Sequence, residues 1–130
     1  MKKLLSIAAA ILLFVSCSDE ETVSDPIIGT WKLEKQVTVD NDQTIDETNE
    51  CTQQSTLVFN SNGTTTSELF GGTDASNCTS DGIDKGTWKS NGSNVYEVLE
   101  DGETTPEVFT INFTDNNTRF TFGNTTWKKQ

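Results

Sequence analysis

Gly86-Thr87-Trp88-Lys89-Ser90-Asn91-Gly92-Ser93-Asn94-Val95-Tyr96-Glu97-Val98-Leu99-Glu100 is the stretch that decides the fold. Two short runs, Gly86–Ser90 and Asn94–Glu100, flank the pair Asn91-Gly92. Asn-Gly favours a tight hairpin turn because both central positions need positive φ, which these residues tolerate. Tyr96 and Val98 repeat with the period of two expected for a half-buried strand. The pattern recurs on both sides. Asn62-Gly63 separates Ser55–Asn60 from Thr64–Phe70, Asp101-Gly102 precedes Glu107–Thr114, Asp115-Asn116-Asn117 precedes Thr118–Phe122, and Gly123-Asn124 precedes Thr125–Lys129. With Ile28–Val39 the chain predicts eight strands, each following its neighbour, and no helical period of useful length. The expected fold is all-β, an eight-stranded antiparallel up-and-down barrel. An immunoglobulin sandwich wants a tryptophan between its cysteines, whereas Trp31 precedes Cys51 and Trp88 follows Cys78.

The N-terminus is of another kind. Met1-Lys2-Lys3, an apolar run from Ala8 to Val15 and the small residue Ser16 have the order of a secretory signal. A membrane span would need about 20 apolar residues, and this run is far shorter. Cys17, at the expected cut, resembles the lipobox cysteine of bacterial lipoproteins, which is acylated and becomes the new N-terminus. The Ser18-Asp19-Glu20-Glu21 run is similar to the acidic surface-export signal of lipoproteins in Bacteroidetes-type bacteria; read without the resemblance, it is an ordinary solvated tether. The expected division is therefore a signal peptide over 1–16, an acidic tether over 17–26 and one barrel domain over 27–130. The resemblance implies a lipid-anchored protein of the outer membrane, exposed at the cell surface, since two or more acyl chains hold a protein stably.

With Cys17 acylated, Cys51 and Cys78 remain, and in an oxidising compartment an even remainder reads as a disulfide. Closing that loop contributes about 3 kcal/mol by the chain-entropy estimate. Up-and-down connectivity places the tight turns at Asn62-Gly63, Asn91-Gly92 and Asp115–Asn117 on one rim, and the long loops Asp40–Gln54 and Gly71–Lys85 on the other. Cys51 lies in one long loop and Cys78 in the other, so the disulfide joins connectors of the same rim.

Gly29-Thr30-Trp31, opening the first strand, resembles the Gly-x-Trp motif of the lipocalins. Gly86-Thr87-Trp88 and the closing Thr126-Trp127-Lys128 are similar to the compact lipocalin-like domains of bacterial lipoproteins, over Ile27 to Lys129. The resemblance implies a binding barrel with a tryptophan at its base. Trp31 and Trp127 are expected to plug the tight-turn end, with Arg119 beside them as a structural residue and a candidate cation over the base tryptophan. Trp88 is expected at the long-loop rim, either lining the mouth or buried beneath the disulfide.

Two states of the interior stay open: a barrel filled by its own aromatic side chains, or a shallow apolar cup. In the second, the candidate ligand-binding residues are Phe70, Trp88, Tyr96, Phe109, Ile111 and Phe122. Asp40, Asp42, Asp46, Glu47 and Glu50 in one loop, Asp74, Asp81 and Asp84 in the other, and Glu100, Asp101 and Glu103 beside them make the mouth acidic, with only Lys85 opposing. Such a field favours a neutral or cationic ligand over a carboxylate. Loss of Lys2 and Lys3 with the signal leaves seven basic against 20 acidic side chains, a net charge of −13, which disfavours nucleic acid. The chain has no histidine and no nucleophile motif. Asp40-x-Asp42 with Asp46 lacks the glycine and glutamate of a calcium loop, as Ile45 and Cys51 stand there. The expectation is a non-catalytic monomer without metal or cofactor, its partners being the membrane through Cys17 and a small molecule or a surface protein. The alternative role is an interaction module, an accessory subunit or inhibitor, that docks through its long loops around a filled barrel.

Overall fold

Alternating Thr, Val and aromatic residues build ten strands, seen in a computed structural model that describes residues 23–130. The expected signal segment 1–16, the lipidation residue Cys17 and the first part of the tether lie outside the described residues. The strands are β1 (Gly29–Asp40), β2 (Gln43–Asp46), β3 (Thr56–Phe59), β4 (Thr64–Gly72), β5 (Cys78–Gly92), β6 (Val95–Glu100), β7 (Glu107–Thr110), β8 (Asn112–Thr114), β9 (Arg119–Phe122) and β10 (Thr125–Lys129). Every pairing is antiparallel. The sheet runs in the order β7-β6-β5-β4-β3-β1-β10-β9-β8, with β2 paired to the far part of β1.

The all-β antiparallel architecture is as expected, with two differences in strand count. β2 arises inside the segment read as a loop over Asp40–Gln54, because Asn41 and Asp42 take positive φ (46° and 60°) and turn the chain back on β1. The segment Glu107–Thr114, read as one strand, breaks at Ile111 into β7 and β8. β7 pairs with β6 and β8 with β9, so the two ends of the sheet are the two halves of one segment. The circuit is thus not closed by hydrogen bonds. It is completed by chain continuity at Ile111, whose side chain is buried and whose N–H donates to the Asn94 carbonyl at 2.9 Å. Aromatic pairs span the seam: Phe109 with Phe122 at 5.0 Å and Tyr96 with Phe113 at 6.4 Å between ring centroids.

Two further boundaries move. The segment Gly71–Lys85 is largely strand, since β4 and β5 form one long hairpin with a shift between Glu68 and Phe70. The turn expected at Asn91-Gly92 falls instead at Ser93-Asn94, where φ is 53° and 60°, and Gly92 absorbs a shift in the strand. The disulfide forms as expected: Cys51, just before a short 3-10 helix over Thr52–Gln54, bonds to Cys78 at the tip of that hairpin.

The core is concentrated toward the tight-turn end. Ile27 and Trp31 are fully buried, and Trp31 packs edge-on against Phe120 at 4.6 Å. Its indole N–H donates to the Ile27 carbonyl at 2.7 Å. Lys129 lies 4.9 Å over the Trp31 ring and donates to the Pro26 carbonyl. Gly29 makes room for it, because a Cβ there would stand 3.0 Å from the Lys129 Cε. Removing a buried aromatic of this kind costs about 3–5 kcal/mol, against about 0–1 for an exposed ion pair. The base cluster therefore outweighs the surface charges in holding the fold.

Gly86 answers to a different constraint. A Cβ on it would meet the Leu99 carbonyl oxygen at 2.3 Å, where β5 and β6 approach closely. Gly86→Ala is expected to lower the unfolding free energy by about 1–3 kcal/mol through overpacking. Gly71→Ala, with nothing within 4 Å, serves as the control. Urea melts in which the two variants match would show that the β5–β6 spacing is not constrained there.

Candidate functional site

Inward-facing positions of β3 to β9 leave a cavity of about 140 Å³ in the barrel. Its apolar wall comes from Leu57, Phe59, Val98, Phe109, Ile111, Phe120 and Phe122. Around this wall, register puts Asp84, Glu100 and Glu107 on the inner face, since Asp84 pairs with Ser67, Glu100 with Gly86 and Glu107 with Val98. Lys85 is the one basic residue at the cavity. The result is an apolar cup with a carboxylate collar.

A second, wider space of about 950 Å³ lies toward the long-connector rim. Its walls come from the inner ends of β1, β3, β9 and β10, the β2 region and the tip of the β4–β5 hairpin. The disulfide and the Asn49 side chain, which donates to the Gly72 carbonyl at 3.1 Å, hold that tip against the 3-10 helix. Asp46, Glu47 and Asp81 give this vestibule a negative lining. Hydrogen bonding by Thr48 keeps the Asp46 carboxyl below its ordinary range. Among the described residues, no three His, Cys, Asp or Glu side chains gather as a metal site.

The sequence-derived candidates divide. Phe109, Ile111 and Phe122 line the cup, while Phe70 and Phe122 line the vestibule. Trp88 and Tyr96 belong to neither and are corrected to the opposite end. β5 begins at Cys78 rather than Gly86, so Trp88 lies ten residues along an extended strand from the disulfide, about 33 Å by the usual rise. Its indole donates to the Asn60 carbonyl and its backbone N–H to the Gly63 carbonyl, both at 2.9 Å. Trp88 also packs on Phe59 and Tyr96. The buried Tyr96 hydroxyl donates to Asp25 at 2.7 Å, closing the base.

Trp31 sits at the base, buried against Ile27. Trp127 pairs with Leu33 and Phe120 and stacks on the Phe120 ring within the same buried cluster as Trp31, and it also borders the vestibule. Arg119 stays near the base but makes no cation–π contact with Trp31. It donates to Glu34 at 2.7 and 2.9 Å and pairs with Asp115, and the hydrogen bond from Arg119 lowers the Glu34 pKa. The cation over the tryptophan is Lys129. Thr65, Ser67 and Glu107 were not singled out from sequence as site residues, although alternation along β4 and β7 would have placed them on the inner face.

Residues 27–127 match the family model of the lipocalin-like domain, and the chain belongs to that family. No curated protein and no solved structure shows a significant match. Lipocalin-like domains are typically binding barrels rather than enzymes.

Burial, and then the bond to Asp25, raises the Tyr96 pKa above its ordinary value. The unfolded phenol ionises near pH 10, whereas the folded one keeps its proton, so this contribution is present below that pH and lost as pH rises beyond it. Tyr96→Phe is expected to cost about 1–2 kcal/mol at neutral pH and to flatten the loss of stability above about pH 10. Urea midpoints measured from neutral to alkaline pH check this; parallel curves for both proteins would refute it.

Proposed function

We propose that this chain is a non-catalytic, lipid-anchored binding barrel that takes a small neutral or cationic ligand with an apolar end. The observation that carries the reading is the cup, an apolar wall flanked by Asp84, Glu100 and Glu107. A cavity of about 150 Å³ holds one aromatic ring, close to the cup's volume of about 140 Å³. Carboxylates at the collar and vestibule repel an anionic ligand and attract an ammonium group. A barrel that retains this space supports ligand binding over an interaction module built on a filled core. Cys17, in its lipobox-like setting, anchors the protein to the outer membrane, and Ser18-Asp19-Glu20-Glu21 directs it to the cell surface.

Titration with benzylamine, benzyl alcohol and benzoate tests the ligand class. At about 0.5 kcal/mol per non-hydrogen atom, between the ceiling for tiny ligands and the drug-sized value, a ligand of about eight such atoms binds with a Kd of roughly 1 mM, so millimolar concentrations are appropriate. The amine, and less strongly the alcohol, should raise the melting temperature and perturb amide signals of β6, β7 and β9, while benzoate does neither. Binding of benzoate alone, or of none of the three, would overturn the reading.

Anchoring has its own check. Cys17→Ser should abolish palmitate labelling and release the protein from the membrane fraction, and retention of label would count against the anchor.

A further inference from the structure

The cup and the vestibule share two side chains. Leu57 on β3 and Phe122 on β9 border both spaces, and β1 and β10 lie between those strands in the sheet. The division between the chambers is therefore built from two separate walls. The chambers differ in size, about 140 against 950 Å³, and in chemistry. Below, the surface is mainly aromatic and aliphatic; above, Gln36, Asp46, Glu47, Thr48 and Asp81 contribute polar or charged groups. Phe122 is 45% exposed although it faces inward, and its ring packs against Phe109 at 5.0 Å. A large aromatic left half open at the boundary of two spaces can touch a molecule that occupies both.

We infer that Phe122 and Leu57 form a size-selecting collar, which admits a compact apolar head of one ring to the cup and leaves a longer cationic tail in the vestibule. The inference rests on the ligand-binding reading and specifies the ligand as bipartite. The two chambers decide the division: one ring fills the cup and leaves no volume there for a polyamine chain, whereas the wider vestibule has the space and the carboxylates Asp46, Glu47 and Asp81.

The test compares benzylamine, N-benzyl-1,4-butanediamine and 1-naphthylmethylamine by calorimetry on wild type, Phe122→Ala, Phe122→Leu and Leu57→Ala. Wild type should bind the tailed one-ring amine about tenfold more tightly than benzylamine and the two-ring amine about tenfold more weakly. Phe122→Ala and Leu57→Ala should each remove most of the penalty on the two-ring amine. Phe122→Leu keeps an apolar contact with Phe109 and should give an intermediate ratio. Circular dichroism identifies folded variants, and Leu57→Ala reads the collar from the wall that does not touch the Phe109 seam. If wild type binds none of the amines, the ligand-binding reading falls and the collar with it. If wild type binds benzylamine but every folded variant keeps the wild-type ratio, or the tail adds nothing, the collar alone is overturned.

Discussion

At Ile111 one extended segment serves two neighbours that cannot both be reached by a straight strand. Its first half follows β6 and its second half follows β9, and the residue between them turns into the core. The ring of strands is therefore completed by covalent continuity and by packing of Phe109 on Phe122, with no ladder across the gap. A closed ladder would hold this wall by directional bonds, whereas here shape and apolar burial do so. The same side chains that complete the circuit also line the cup. Integrity of the wall and shape of the site thus depend on one set of contacts.

The interior is graded from floor to opening. Ile27, Trp31 and Tyr96 are buried at the floor, and Phe59 and Phe120 join them from the lower wall of the cup. Above them the aromatic residues thin out and carboxylates enter at alternate positions of β5, β6 and β7. Burying an unpaired charge is costly, so these carboxylates fit near the open end, where water reaches them. The disulfide and the Asn49 bond hold the long hairpin against the 3-10 helix, which fixes the outer wall of the vestibule.

Much of the fold was legible because its strands obey a period of two and its turns carry Asn, Asp and Gly. The β4–β5 arm was not, because Gly71 and Gly72 are turn formers that pairing along the hairpin overrides, while the turn itself is confined to the few residues around Asp74 and Asn77. That misplaced boundary carried Trp88 to the wrong rim. The shift from Asn91-Gly92 to Ser93-Asn94 has a simpler cause, since all four residues accept positive φ and only the strand register chooses among them. Register also decides that Glu107 points inward, while the break at Ile111 depends on contacts between distant strands that no local pattern encodes.

Asp25 and Ile27 engage Tyr96 and Trp31 at the floor, and the Gln130 N–H donates to the Thr30 carbonyl at the same end. Both ends of the described residues consequently lie at the pole opposite the vestibule. Mechanical load applied at residue 23, or a reporter protein fused at residue 130, would pull on the densest part of the molecule and leave the portal unobstructed. Immobilised by either end, the domain would present its opening outward, as a cup stands on its foot.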